Sequence, residues 1–282
     1  MSNGIYYEAI EVQGNQMAEN DAPNGVDETN TQSDSGQGST EDTSQMSGMP
    51  IFYEKPEILD SERHKELGLI ESASFLFAAS SNAIPVNASE FPAAARDYPI
   101  VFIGDQEVNS VAIVGLRKGE NLMVDTEEKW AQGTYIPAYV RRYPFIFVRQ
   151  DGGTQYALCI DRASNRIGSN ADRMFFDDSK LTELSEKAME FCTLFQRHFL
   201  ATEVVVKQLI DFDLLVTHQV QFSLANDSIL TLKDFKVIDE SRLNELGEAD
   251  FISLRKTGAL GAIYSHLISL NSWQHLLMRT SA

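Results

Sequence analysis

The chain has 282 residues, 43% of them apolar, so it is long enough to bury a sizeable core as one large domain or two small ones. Its formal net charge of −18 argues against nonspecific binding to nucleic acid or anionic lipid, because both need a positive surface that displaces counterions. No run of 18 apolar residues and no signal-type N-terminus occurs, so we expect no membrane insertion and a cytoplasmic location, with leaderless export left open.

The first 50 residues predict a disordered acidic tail. They contain nine Asp and Glu residues and neither Lys nor Arg, and from Gln13 to Gly48 almost nothing is apolar. Such a segment cannot bury enough surface to offset the entropy lost on ordering. The remaining 32 acids and 23 bases belong to residues 51–282, which we interpret as a single folded domain.

One short piece of the tail departs from this composition. Residues 5–12 read IYYEAIEV and match residues 51–58, IFYEKPEI, at most positions. Either the first copy is a frayed remnant, or it is a tethered strand that pairs with an open sheet edge in the same molecule or in a neighbour. The second alternative predicts self-association through residues 5–12.

A twelve-residue stretch occurs twice in the folded part. Residues 91–102, FPAAARDYPIVF, and 136–147, IPAYVRRYPFIF, share six identities at a constant offset of 45. The proline before each apolar run lacks an N–H and fixes φ, so it predicts the first residue of a strand. The predicted strands are 99–103 and 144–148, with antiparallel returns over 110–116 and 155–161 and a short buried strand at Phe75–Ala79. This pattern indicates a duplicated three-strand unit, over 74–118 and 119–163, that builds an antiparallel sheet region.

Helices are predicted for most of the chain beyond residue 175. Residues 179–210 place apolar side chains three and four apart, which is typical of one buried helical face, with Asp178 or Ser179 as the N-cap. Residues 215–224 and 228–235 predict a β-hairpin, and residues 239–278 predict two or three helices. The fold class is therefore α+β: β-rich over 51–163, then mainly helical over 175–278 with one hairpin.

Five strings in this order carry a family resemblance: FPAAARDYPIVF, GLRKGENLMVD, YIPAYVRRYPF, LCID and, near the end, GALGAIYSHLISL. Over about residues 52–278 the chain resembles the SapC-like family of bacterial proteins, and the acidic tail lies outside the likeness. The family takes its name from a surface-layer locus, so the resemblance implies an association with cell-surface systems. It implies no catalytic residues and no cofactor.

The repeated stretch also supplies the candidate binding residues: Arg96, Tyr98, Arg141, Arg142 and Tyr143. Paired across a pseudo-two-fold axis, their guanidinium and phenol groups can hold a carboxylate or a peptide terminus through bidentate hydrogen bonds. The structural alternative is that each Arg bonds loop carbonyls or a nearby acid such as Asp97, and that each Tyr packs with its hydroxyl tied to the backbone.

A metal site is the rival hypothesis. His64 and Glu66 form half of a two-histidine, one-carboxylate set, with His198, His218, His266 or His275 as the missing ligand, but their charged segment is also typical of a solvated turn or short helix. No GxSxG serine motif occurs, and GLRKGEN at 115–121 lacks the GK[ST] ending of a phosphate loop.

The leading hypothesis is a non-enzymatic binding or assembly protein for a peptide or protein partner, without cofactor; the alternative is a metal-dependent enzyme using His64 and Glu66.

Overall fold

Short strands and one long helix make up the described part of the chain. The computed structural model describes residues 12–15, 49–72, 74–149, 155–223 and 229–280. The strands are β1 (Val12–Asn15), β2 (Pro56–Ile58), β3 (Gly68–Leu69), β4 (Ala83–Pro85), β5 (Ile100–Ile103), β6 (Asn109–Ile113), β7 (Phe145–Arg149), β8 (Tyr156–Asp161), β9 (Ile167–Gly168), β10 (Arg173–Met174), β11 (Phe176–Asp177), β12 (Lys180–Leu181), β13 (Leu215–Ser223) and β14 (Ile229–Ile238). The α-helices are α1 (Phe91–Ala94), α2 (Ala138–Arg141), α3 (Glu183–Asp211), α4 (Glu240–Asn244), α5 (Glu248–Thr257), α6 (Ala259–Ser269) and α7 (Trp273–Thr280), and the 3₁₀ helices are Leu76–Ala78, Ala88–Glu90 and Leu270–Ser272.

The first sheet joins two hairpins, β5–β6 and β13–β14. Its strand order is β1-β14-β5-β6-β4, with β13 on β14, and its pairs are antiparallel. All four residues of β5 are buried, since one sheet face packs under α6 and the other faces the core. Between β14 and β5 the register contains one pair, Lys236 with Phe102. The predicted hairpin over 215–235 is confirmed.

The second sheet has the order β2-β8-β7 and places β2 and β7 on its outer edges. Two bonds fix which backbone groups face inward. The Asp161 N–H donates to the Pro144 carbonyl at 2.9 Å, across β7 and β8, and the Leu59 N–H donates to the Leu158 carbonyl at 2.8 Å, across β2 and β8. Bonds alternate along an antiparallel pair, so even-numbered β7 residues bond β8 and odd-numbered ones point to the open edge.

A mixed α+β fold is confirmed, but the duplicated three-strand unit is not. Each copy of the repeat forms a helical turn followed by a hairpin, α1 with β5–β6 and α2 with β7–β8. The third strand beside β6 is β4, from the same predicted unit, whereas the third strand beside β8 is β2, at residues 56–58. The two hairpins also lie in different sheets.

The strand predicted at Phe75–Ala79 is wrong, because this segment forms the 3₁₀ helix Leu76–Ala78. Its aromatic side chains pack against other rings instead of alternating across a sheet. The ring centroids of Phe75 and Trp130 lie 5.7 Å apart, and the Phe77 ring stacks on Tyr143 with the centroids 4.1 Å apart. Apolar content alone does not distinguish these two uses.

The long helix and the C-terminal helices largely follow the prediction. The α3 helix begins after Thr182, three residues later than Ser179 and four later than Asp178, the two predicted N-caps. Residues 180–181 instead pair with β11, and the Thr182 hydroxyl donates to the Met174 carbonyl at 2.7 Å. The C-terminal part contains four short α-helices where two or three were predicted. Among the described helices, none has both the length and the apolar character that crossing a bilayer requires.

The N-terminal predictions fall mostly outside the described residues. Of the strand-like segment 5–12, only Val12 is described, and it begins β1, which pairs with β14 from Val12 opposite Leu232 to Asn15 opposite Ile229. Disorder of the acidic tail and self-association through residues 5–12 therefore stay predictions.

Candidate functional site

The structure separates the five predicted binding residues into two groups. Arg96 is exposed and donates to Asp97 at 3.0 and 3.1 Å and to the Gly133 carbonyl at 3.0 Å. Tyr98 is buried; its hydroxyl donates to the Tyr135 carbonyl and accepts from Trp130 Nε1 at 3.1 Å. Both side chains of the first copy thus tie α1 to the loop before α2, and the predicted pairing of Arg96 with Arg141 across a two-fold axis does not form.

The second copy lines a cavity of about 570 Å³ that we call the cationic cavity. It lies between α2, the start of β7, the β9–β10 segment and the first turns of α3. Its charged lining residues are Arg141, Arg142, Arg166, Arg173, Lys187 and Glu183. Glu183 pairs with Lys187 at 2.6 Å, so the four guanidinium groups dominate the local field in a strongly acidic chain.

Arg141 and Arg142 are held in place by aromatic rings. Arg141 is exposed; its Nε donates to the Ile136 carbonyl at 3.0 Å, and its guanidinium lies 5.4 Å from the Phe191 ring centroid. Arg142 is buried, with its guanidinium 4.2 Å from the Tyr139 centroid and 4.3 Å from that of Phe195. Cation–π contacts in such a desolvated setting are each worth up to about 2 kcal/mol. The two cations are therefore preorganised for a ligand.

Arg166 adds a donor that the protein leaves unused. Its Nη2 donates to the Ser72 carbonyl at 3.1 Å and its Nη1 to the Tyr143 carbonyl at 3.5 Å. Its buried Nε has no acceptor among the described residues. Burial lowers the pKa of the Arg166 guanidinium, which marks the cost of desolvating this charge. A ligand oxygen would satisfy the unused N–H and offset part of that cost.

Tyr143 acts as a positioning residue for the cavity wall. Its hydroxyl donates to Asp161 Oδ2 at 3.1 Å, and its ring stacks on Phe77. Burial raises the pKa of Tyr143 to about 12, so the phenol keeps its proton at neutral pH. Asp161, with no exposed surface, also accepts from the backbone N–H groups of Lys55 at 2.8 Å and Ala163 at 3.2 Å.

A groove of about 630 Å³ lies next to the cationic cavity, and Arg142 lines both. It follows β7 and one side of α3. Its lining includes Ile146, Phe147, Val148, Arg149, Phe199, Leu200, Glu203, Val206 and Ile210. Leu200 and Ile210 are 46% and 50% exposed, which leaves an apolar strip open to solvent.

The proposed metal ligands do not form a site in the described structure. His64 is buried; its Nδ1 accepts from the Asp60 N–H at 3.0 Å, and its Nε2 lies 3.4 Å from Glu57 Oε2. Glu66 is exposed on the same turn. Across the described ranges, no three His, Cys, Asp or Glu side chains are grouped closely enough to hold a metal ion.

Sequence reasoning found the repeat-borne residues of the cavity and missed Arg166, Arg173 and Lys187. Arg166 and Arg173 lie in a polar stretch that is not repeated, and Lys187 lies on the exposed side of α3. Their spacing in the sequence therefore does not indicate a shared site. Only the fold brings them together: α2 contacts α3 through Arg141 on Phe191, and Arg166 donates to the Tyr143 carbonyl just after α2.

Comparison with known proteins gives one match. The SapC family model matches residues 59–276, which is most of the chain. No curated protein matches, and no solved structure matches.

Proposed function

This chain belongs to the SapC family, and we propose that it is a non-enzymatic binding or assembly protein that captures a peptide or protein partner through a carboxylate held in the cationic cavity. The repeat-borne residues Arg141 and Arg142, together with Arg166, provide the binding groups. An association with cell-surface systems is the family-level expectation for the partner. No cofactor takes part in this role.

The proposal rests on the positive charge of the residues that line the cavity. Five cationic side chains and one acid line it, although acids outnumber bases by 41 to 23 in the whole chain. Arg142 is buried and Arg166 is half-buried, so burial costs these two cations solvation, and the neighbouring cations repel them. An anionic ligand removes both costs, and guanidinium groups bind carboxylates through paired hydrogen bonds.

The rival, a metal-dependent enzyme at His64 and Glu66, has weaker support. The Asp60 N–H occupies the Nδ1 lone pair of His64, and Glu57, not Glu66, faces its Nε2. Elemental analysis of tag-free protein tests it: Fe, Mn or Zn near one per chain, lost in a His64→Ala variant, would support the enzyme instead.

Reversing two exposed charges of the cavity tests the binding proposal. In Arg141→Glu/Arg173→Glu, both changed side chains are exposed, so we expect a melting temperature close to that of the wild type. We expect at least a tenfold loss of affinity for decapeptides that the wild type selects from a random library, measured by isothermal titration calorimetry.

Arg96→Glu is the matched control. Arg96 occupies the repeat position of Arg141, is exposed and makes a comparable bond to a backbone carbonyl, but it lies outside the cavity. This variant should retain wild-type affinity. Equal binding by the wild type and the folded double variant would refute the proposal.

A further inference from the structure

The groove runs along the open edge of β7. Consecutive residues Ile146–Arg149 all line it, although neighbouring side chains on a strand point to opposite faces of the sheet. A cavity that both faces line includes the edge of the strand, and β7 is an outer strand of the second sheet; the groove also extends over the sheet to Tyr156 of β8 and Pro56 of β2.

Among the described residues, none forms a backbone hydrogen bond with Phe147 or Arg149 at this edge. The alternation fixed by the Asp161–Pro144 and Leu59–Leu158 bonds points the N–H and C=O groups of Phe147 and Arg149 away from β8, toward the groove. An extended peptide added here gains main-chain hydrogen bonds and covers the exposed side chains of Val148 and Leu200.

One end of the edge is closed. The Phe145 carbonyl accepts from the Tyr53 hydroxyl at 2.7 Å, and the Phe145 N–H donates to the Arg142 carbonyl at 2.8 Å. A strand paired with Phe147 must therefore stop or turn away beside Phe145. Phe145 and Arg142 both line the cationic cavity, so the closed end of the edge is the cationic end.

We propose that the partner is the extended, apolar C-terminal segment of a peptide or protein, which pairs antiparallel with β7 in the groove and delivers its terminal carboxylate to the cationic cavity. This inference rests on the proposed function and names the partner class. A chain antiparallel to β7 runs from Arg149 toward Phe145, so its C-terminus reaches the cations, whereas a parallel chain would bring its N-terminal amine there. Because β7 has five residues, a partner segment of five residues at about 3.4 Å each is as long as the strand.

Two peptide modifications test the pairing on the wild-type protein. The probe is the tightest-binding decapeptide from the random library, with a free C-terminal carboxylate. We expect amidation of that carboxylate to weaken binding at least tenfold. We also expect N-methylation along its last five residues to weaken binding at every second residue, because alternate N–H groups face β7. Equal binding of acid and amide, or N-methyl effects without this alternation, would overturn the inference.

A variant pair tests the strand. Arg149→Pro removes the side chain and an N–H that points to the groove, whereas Arg149→Ala removes the side chain alone. Arg149→Pro should bind the decapeptide at least tenfold more weakly than Arg149→Ala. If Arg149→Pro fails to fold, the N-methyl series alone decides.

The outcomes separate this inference from the proposed function. If Arg141→Glu/Arg173→Glu weakens binding but the amide, N-methyl and Arg149 tests do not, the binding role stands and the β7 mode is wrong. If the double charge reversal has no effect, the binding role itself fails. Sedimentation that shows dimers lost in Arg149→Pro, and not displaced by the decapeptide, would assign the edge to a second copy of this chain and overturn the inference.

Discussion

Replacing Asp161 with Asn should lower the free energy of unfolding by about 3 kcal/mol, a large effect for a change that keeps the size of the side chain. Asp161 has no exposed surface, and its carboxylate lies where residues 54–55, β8 and Tyr143 meet. Each oxygen accepts from two donors: Oδ1 from the N–H groups of Lys55 and Ala163, and Oδ2 from the Glu54 N–H and the Tyr143 hydroxyl.

The loss follows from the chemistry of the amide. In Asn, one of the two oxygens becomes an NH₂ group, which faces two donors and can accept from neither. If the NH₂ takes the place of Oδ1, the Lys55 and Ala163 N–H groups lose their acceptor; if it takes the place of Oδ2, the Glu54 N–H loses its acceptor and the Tyr143 hydroxyl must turn to accept from the NH₂. Each lost acceptor costs about 1–3 kcal/mol, and the surviving bonds weaken because their acceptor is no longer charged. In the second orientation, the bond that anchors the Tyr143 ring, which forms part of the cavity wall, reverses its direction.

Urea unfolding of the variant and the wild type measures this difference. Asp177→Asn serves as the control, because Asp177 is an exposed strand residue and should change stability by less than about 0.5 kcal/mol. A difference below about 1 kcal/mol for Asp161→Asn would show that these four bonds contribute little.

Acidification should destabilise the protein through His266, by about 3 kcal/mol between pH 7 and pH 4. His266 on α6 has no exposed surface. The Ile238 N–H donates to its Nε2 at 3.0 Å, so Nδ1 carries the proton and donates to the Ile100 carbonyl at 2.8 Å. Protonation of Nε2 would place two N–H groups against each other.

The lowered pKa of His266 determines the direction in which stability changes with pH. Burial lowers the pKa of His266 from 6.5 to about 4 in the folded state. Between these values the unfolded chain binds the proton and the folded chain does not, so stability rises with pH across this window. The contribution is fully present above about pH 6.5 and is lost as the pH falls toward 4.

His266→Gln isolates this effect, since an amide can accept from Ile238 and donate to Ile100 without titrating. We expect the drop in unfolding free energy from pH 7 to pH 4 to be about 3 kcal/mol smaller in His266→Gln than in the wild type. His275→Gln, at an exposed histidine, should leave the drop unchanged. Equal drops in the wild type and His266→Gln would contradict the assignment.

Local signals in the sequence were enough to predict the hairpins. The prolines before β5 and β7 set the strand starts, because a ring without N–H is compatible with a strand mainly at its first residue or at an edge. The long helix was predicted from its apolar spacing. The third strand of the second sheet was not predicted. Its pairing joins β2 to β8, about 100 residues apart, and a strand of three residues is too short to show an alternation of apolar and polar side chains.

The candidate site was predictable only where the repeat marked it. Arg141, Arg142 and Tyr143 stood out because their pattern recurs, yet the same argument also selected Arg96 and Tyr98, which instead bind the loop before α2. Nothing in the sequence pattern predicted the groove. An open strand edge is a property of the sheet order, and residues 145–149 look alike whether β7 is central or outer.

The narrow junction between β14 and β5 is where we expect the first sheet to open. The β13–β14 hairpin contains eight residue pairs and β5–β6 contains four, but only one pair joins the two hairpins, and the ring of His266 spans this junction from Ile100 to Ile238. We therefore expect each hairpin to open as a separate unit, with the histidine coupling the two. Below pH 6.5 an opened His266 binds a proton that the closed one does not, so opening at this junction should become easier and the amide protons beside it should exchange with solvent faster.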